Sequence, residues 1–200
     1  MNECAGRTVR IYDALTAQIA YLLAVYRHRP QTIAALERMI GAYVLERTSE
    51  LGSVGRGACV KGARFVREVR IGDGATIDGA TLLENGTLCA GAFVGADVKA
   101  RDFILAEGAR VDNGSILERC FVGESSVLDK GFTATHSLFF ANCHCECGEA
   151  ASVFAGPYTV SHHKSTLLIA GMFSFFNAGS GSNQSNHLFK SGAVHQSVHL

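Results

Sequence analysis

The sequence has little of what nucleic-acid-binding or membrane-spanning proteins depend on. Its 18 basic residues are balanced by 18 acidic ones, so it lacks the basic surplus that favours nucleic acids and anionic membranes. The longest apolar run, Leu167 to Phe176 with Ser174 inside it, is too short to cross a bilayer. Met1 is not followed by a basic segment and then an apolar one, as a secretory signal would be. We therefore expect a soluble, cytoplasmic protein with no nucleic-acid or membrane partner.

Proline, tryptophan and paired cysteines are also scarce. The 200 residues include 2 Pro, no Trp and 7 Cys, and three of the cysteines fall within 143–147. An odd and crowded set of cysteines does not suit a secreted disulfide framework, so we expect reduced thiols. The hydrophobic fraction, 48%, is ample for a packed core and suggests one main domain with an appendage.

The appendage is a predicted pair of helices within residues 1–50. The first is predicted from Thr8 to about His28, because Pro30 pushes the residue before it out of helical geometry. The second is predicted from Pro30 to about Glu50. Both carry apolar residues at steps of three and four: Tyr12, Leu15, Ile19, Leu22 and Tyr26, then Ile33, Leu36, Ile40 and Val44. We interpret the hairpin as a cover for an open end of residues 51–200, or alternatively as a seam that pairs subunits.

Residues 54–139 contain an internal repeat of seventeen residues, which decides the fold. Three aliphatic columns recur at this period, and Gly57, Gly74, Gly91 and Gly108 fall in register between them where the chain must turn. Three columns predict three short parallel strands per coil, with the aliphatic side chains facing inward. The columns are Val54, Ile71, Leu88, Leu105, Val122 and Phe139; Val60, Ile77, Val94, Val111 and Leu128; and Val66, Leu83, Ala100, Leu117 and Ala134.

Hexapeptides such as IGDGAT (71–76), IDGATL (77–82) and LENGTL (83–88) resemble the repeat of the hexapeptide-repeat transferases. That resemblance implies a mainly β fold, a left-handed parallel β-helix, and a trimer. The block 131–196 also resembles an uncharacterised bacterial family of long hexapeptide-repeat proteins in which further chain follows this block. Because this chain stops at Leu200, we expect a truncated or shortened relative.

Beyond Phe139 the repeat continues weakly. A constant period would place Cys145, Ala151, Gly156, His162 and Leu168 in the inward columns. Pro157 cannot donate to a strand ladder, so we expect the solenoid to be interrupted or to reach an edge there. We interpret the apolar segment 167–176 as a continuation of the solenoid.

His162 and His163 are the first candidates for chemistry. Transferases of the resembled superfamily commonly use a histidine as general base in a cleft between subunits, and the ordinary pKa of imidazole suits that role. The extrapolated repeat points His162 inward and favours His163 as the exposed base. The alternative is a buried structural His162 beside an inert surface His163.

A second candidate is a zinc site. Cys143, His144, Cys145 and Cys147 lie close together, with His136 upstream, and thiolates and imidazoles bind zinc. The repeat, however, places Cys143 and Cys145 inward, where cysteine is a small apolar side chain. Core packing is therefore favoured for both, and a weak metal set of His136, His144 and His162 is the alternative.

The third candidate is the polar loop 177–187. Its glycines expose backbone N–H groups, and four side chains offer groups to a sugar or sugar nucleotide: Asn183, Gln184, Asn186 and His187. Lys164 and Ser165 are added as substrate-binding candidates. A purely structural loop explains the same composition.

Three functions follow from these patterns. The first is an acyl- or acetyltransferase-like enzyme that moves an acyl group from coenzyme A or an acyl carrier to a sugar or amino-sugar. The second is a zinc enzyme of the γ-carbonic anhydrase kind. The third is a non-catalytic scaffold whose solenoid is a rigid spacer. In every case we expect self-association.

Overall fold

Two helices and nineteen short strands make up the described part of the chain, residues 8–172 and 175–185 of a computed structural model. Helix α1 is Ala17–Val25 and helix α2 is Pro30–Arg47. The hydroxyl of Thr16 accepts a hydrogen bond from the backbone N–H of Ile19 and caps α1. Pro30 occupies the first turn of α2, where its missing N–H has no helical partner to lose.

The strands follow α2 without another helix in the described residues. They are β1 Ser53–Val54, β2 Cys59–Lys61, β3 Val66–Ile71, β4 Thr76–Asp78, β5 Leu82–Leu88, β6 Phe93–Val94, β7 Lys99–Leu105, β8 Arg110–Val111, β9 Ile116–Val122, β10 Val127–Asp129, β11 Thr133–Thr135, β12 Leu138–Phe139, β13 His144–Glu146, β14 Glu149–Ala151, β15 Phe154–Ala155, β16 Val160–Ser161, β17 Thr166–Leu168, β18 Gly171–Met172 and β19 Asn183–Ser185.

These strands stack into a parallel β-solenoid of about eight coils, each of about 17 residues. One sheet runs β16-β13-β10-β8-β6-β4-β2, and the other follows β1-β3-β5-β7-β9-β11-β14-β17-β19 with β12, β15 and β18 beside it. The predicted mainly β solenoid with an N-terminal helical pair is confirmed. Its left hand stays a prediction from the resemblance.

The three aliphatic columns face inward, as predicted. Ile77, Leu83 and Leu88 are each 0% exposed, and their counterparts in later coils are similarly covered. A single coil cannot bury such a face, but stacked coils enclose a continuous core. Corner turns separate the strands, and Gly74 takes a φ of +66° at one of them, a conformation that costs glycine little.

The first coil is an exception, because its inward residues remain open to solvent. Val54, Val60 and Val66 are 67%, 45% and 38% exposed. They occupy the same columns as residues that are almost fully buried one coil later. No described part of the chain covers this end of the solenoid.

The predicted register fails after Cys145, because one coil has sixteen residues rather than seventeen. Leu128 pairs with Cys145, seventeen residues on, but Ala134 pairs with Ala150, sixteen residues on. The inward positions after Cys145 therefore shift by one residue: Ala150, Ala155, Ser161 and Leu167 are the buried ones. The prediction that His162 points inward is wrong, and both His162 and His163 are exposed.

Pro157 does not interrupt the solenoid, contrary to prediction. It lies in a corner turn between β15 and β16, where its carbonyl accepts from the N–H of Phe175 at 2.9 Å. A corner residue that contributes only its carbonyl loses nothing when proline replaces it. The predicted continuation through the apolar segment is confirmed for β17 and β18, which pair in parallel with β14 and β15.

The first helix begins much later than predicted. Residues 8–16 are not helical, although Tyr12 and Leu15 fit helical spacing. In α1 the buried residues are Ala20, Leu23 and Ala24 rather than the predicted stripe. The predicted face of α2 is correct, since Ile33 and Ile40 are its buried residues.

The helices cover a side of the solenoid and not its open end, so the predicted end-cover role is wrong. Leu23 and Ile40 join one apolar cluster with outward-facing aromatic residues of the coils. Phe121, Phe140 and Phe154 are at most 3% exposed there, with adjacent ring centroids 5.7 and 4.9 Å apart. Outward apolar side chains on this face need a covering layer, which the helices supply.

Candidate active site

The outer surface of strands β13 and β16 gathers His144 and His162 with Glu146, a residue that the sequence did not indicate. Side chains alternate between the two faces of a strand, so Cys145 points inward while His144 and Glu146 lie on the outer side. Cys145 pairs with Ser161 in the next coil, which places His162 beside Glu146. The shifted register thus assembles His144, Glu146 and His162 on one surface, which we call the histidine face.

Three side chains in contact, Lys130, Glu146 and His144, form a charged network across the histidine face. Lys130 Nζ lies 2.6 Å from Glu146 Oε2, and His144 Nε2 lies 2.9 Å from Glu146 Oε1. Since an ionised carboxylate can only accept, Nε2 of His144 carries a proton and donates it. The hydrogen bond from Lys130 lowers the pKa of Glu146, and the same contact raises the pKa of Lys130. The Glu146 side chain, 12% exposed, is therefore an ionised group held by two donors.

His162 packs against this network. Its ring centroid lies 4.4 Å from that of His144, with the planes 73° apart in an edge-on contact. His162 and His163 also line a shallow cleft of about 440 Å³ with Val160, Asn177 and neighbouring loop residues. The arrangement places an imidazole at a cleft, supported by a second imidazole that a carboxylate orients.

Lys130 and Glu146 were not among the predicted site residues. The signal for Glu146 is the alternation in His-Cys-Glu at 144–146, which puts both polar residues on the face opposite the inward cysteine. Lys130 sits at a corner with a φ of +53°, one coil before Glu146. Its contact with Glu146 follows from coil stacking, which local sequence does not show.

The remaining predicted binding residues do not converge on the cleft. Lys164 and Asn183 are exposed, whereas Ser165 and Gln184 are 6% and 2% exposed. The Ser165 hydroxyl hydrogen-bonds the Ser161 hydroxyl. Binding roles for these residues stay a prediction. Asn186 and His187 lie outside the described residues.

His136 does not join the other two histidines of the proposed metal set. It occupies a different corner, where its Nε2 lies 3.0 Å from Arg119 Nη1, and a guanidinium so close opposes a bound cation. Within residues 8–172 and 175–185, no group of three or more His, Cys, Asp or Glu side chains has a metal-binding arrangement.

The predicted core role of the cysteines is confirmed. Cys143 and Cys145 are 1% and 0% exposed. Burial raises the pKa of the Cys143 thiol to about 12, so this thiol is not a nucleophile at neutral pH.

A family comparison covers almost the whole chain, since one family model matches residues 1–199. The chain belongs to the family described as a domain of unknown function, DUF4954. The chain is also similar to an uncharacterised protein of Treponema pallidum (strain Nichols), with 27% identity over 176 residues. That match covers 86% of this chain and 24% of the relative, so the chain spans about a quarter of the relative's length. Neither described helix of this DUF4954 chain has the length and apolar character needed to span a membrane.

Proposed function

We propose that this chain transfers an acyl group from a coenzyme A or acyl-carrier thioester to a hydroxyl or amine of a sugar, with His162 as general base. The observation that supports the proposal is the contact of His162 with the Lys130–Glu146–His144 network beside a cleft. Fold resemblance supplies the reaction class, and residue geometry supplies the base.

The proposed reaction needs one proton acceptor and one orienting group. His162 removes the proton of the acceptor hydroxyl or amine as that atom attacks the thioester carbonyl. The tetrahedral intermediate then collapses, the carbon–sulfur bond breaks, and the leaving thiolate takes the proton back from the imidazolium. Imidazole suits this cycle because its ordinary pKa, about 6.5, lies near neutral pH.

His144 and Glu146 act as positioning residues in this proposal. The carboxylate fixes the His144 ring through Nε2, and the edge of that ring limits the rotation of His162. A base held in position raises the rate of the reaction, because the entropy cost of orienting it is already met in the folded protein. This division of roles favours His162 over His163. His163 makes no hydrogen bond, ion pair or ring contact with another described residue.

A thiol-release assay with acetyl-coenzyme A and a panel of sugars and amino-sugars tests the proposal. We expect His162→Ala to lower kcat about 10²- to 10⁴-fold, the usual contribution of general acid–base catalysis. His163→Ala is the matched control and should retain most of the rate. Added imidazole should partly restore the His162→Ala variant. Wild-type protein that is folded but inactive with every acceptor would refute the proposal.

A scaffold function is the second candidate, and the open first coil favours it. Val54 and Val60 present an apolar end that suits contact with another chain. Self-association, as a trimer according to the resemblance, belongs to this proposal as well as to the first. Sedimentation should give a particle heavier than one chain, and a monomer at all concentrations would argue against assembly.

A further inference from the structure

A second cleft separates residues 8–11 from one corner of the solenoid. Its volume is about 570 Å³, within the range of small-ligand sites. Val9, only 5% exposed, anchors the segment in the apolar cluster beneath the helices. The Arg27 guanidinium donates to the carbonyl of Thr8. We call this space the Arg10 cleft.

One wall of the Arg10 cleft is a ladder of polar corner residues at seventeen-residue spacing. Asn85, Asp102, Arg119 and His136 all have φ between 47° and 52°, with values of 49°, 50°, 51° and 48°. Asn85 Nδ2 donates to Asp102 Oδ1 at 2.7 Å, and Arg119 Nε lies 3.5 Å from Asp102 Oδ2. Since arginine only donates, His136 Nε2 accepts from Arg119, and the ring proton sits on Nδ1. His136 thus keeps an N–H donor.

Unused cationic donors outnumber acceptors in this cleft. Arg10 is exposed, and among the described residues it has neither an ion pair nor a hydrogen bond. Arg119 uses its Nε and Nη1 in the ladder, and a guanidinium has five N–H donors, so further donors remain. Asp102 is the acidic residue of the lining, and its two oxygens already have partners. These cationic donors, free of protein acceptors, favour an anion in the cleft.

The other wall is apolar. Ile11, Val44 and Ile104 are half-buried and line the cleft, with the buried Phe103 and Leu138 directly behind them. A Cβ added at Gly86 would lie 2.2 Å from Phe103 Cε1, so a side chain there would displace a ring that packs in the solenoid core. A ligand in the cleft therefore meets an apolar surface as well as donors.

The cleft continues towards a neighbouring hollow, which orients a ligand. That hollow is lined by Tyr12 and Tyr43, whose ring centroids lie 5.6 Å apart. Its charged lining residues are Asp13, Arg47, Glu50, Glu68 and Arg70. The carboxylates there offset the two guanidiniums, whereas the Arg10 end has a cationic surplus, so an anionic head group favours the Arg10 end. The head group belongs beside Arg10 and the apolar body beside the tyrosines.

We propose that the Arg10 cleft binds a small organic anion, a carboxylate or phosphate monoester joined to an apolar or aromatic body. Arg10 and Arg119 hold the head group, with His136 as a further donor, and Val44 and Ile104, which line both the cleft and the hollow, receive the body. The site shares no residue with the histidine face and stands independently of the acyl-transfer proposal.

Titration calorimetry of the full chain with phenyl phosphate and with phenylacetate tests this site. Inorganic phosphate and benzyl alcohol serve as probes of the head group alone and the body alone. The variants are Arg10→Gln and, as a matched control, Arg64→Gln, which removes another exposed arginine without a described partner. Circular dichroism confirms that both variants fold.

We expect at least one aromatic anion to bind wild-type protein with a Kd below about 1 mM. Arg10→Gln should weaken that binding at least 10-fold, worth about 1.4 kcal/mol, and Arg64→Gln should leave it within 2-fold. The ratio between the two anions distinguishes phosphate from carboxylate. No binding by either anion, equal binding by Arg10→Gln, or binding of benzyl alcohol as tight as that of the anions overturns the proposal.

Discussion

Because the first coil is open, we predict that a valine-to-alanine change lowers the free energy of unfolding by different amounts at two positions of the same inward column. Val94 and Val60 occupy equivalent positions, but Val94 is 1% exposed and Val60 is 45% exposed. Changing valine to alanine removes two methyl groups, worth about 0.8 kcal/mol each when fully buried. At Val94 an enclosed cavity adds about 1 kcal/mol, giving about 2–3 kcal/mol of lost stability. At Val60 solvent fills the space, so the loss should be below about 1 kcal/mol.

Urea unfolding of Val94→Ala and Val60→Ala, followed by circular dichroism, measures this difference. The two variants have the same chemistry, strand type and column, so intrinsic propensities cancel. We expect a gap of at least about 1.5 kcal/mol between their free energies of unfolding. Equal losses at both positions would refute the reasoning, because they would mean that the first coil is covered in solution.

Two further predictions concern titrating groups. Exposed Cys59 should react with a thiol reagent at pH 8 in the native state. Cys143 should react only on unfolding, because burial raises its pKa to about 12. Mass spectrometry locates the label, and rapid labelling of Cys143 would contradict its buried placement. Lys130 lowers the pKa of Glu146 in the folded state, so the stabilisation is present above the unfolded carboxyl pKa of about 4.3 and is lost as the pH falls through the folded value. Glu146→Gln should therefore show a smaller loss of stability between pH 7 and pH 3 than Glu37→Gln, a control at an exposed helix position, and identical losses would count against the contact.

The repeat was predictable from sequence because burial imposes it directly. Residues such as Ile77 and Leu83 must be aliphatic wherever stacked coils enclose them, so the seventeen-residue period is visible in the chain. The helix boundary was less predictable. Tyr12 and Leu15 fit a helical spacing, but Leu15 is buried against the solenoid before α1 begins, and tertiary packing overrides local spacing there.

The site was only partly predictable, because it depends on a one-residue shortening of a coil. With a constant period, His162 would pair with Cys145 and face inward. In the structure Ser161 takes that place, and His162 moves beside Glu146. The corner between Cys145 and Ala150 is one residue shorter than its counterparts. No local sequence pattern indicates this shortening. The sequence grouped His144 and His162 only in the metal alternative with His136, and it did not predict their shared contact with Glu146 on one surface.

We propose that Glu146, His144 and His162 act as one unit in acyl transfer. The most direct test measures kcat for thiol release in His162→Ala, Glu146→Gln and the double variant. Because Glu146 acts through His144 on His162, we predict that the double variant is no slower than His162→Ala alone. Losses that multiply in the double variant, or a His162→Ala variant with the wild-type rate, would contradict the claim.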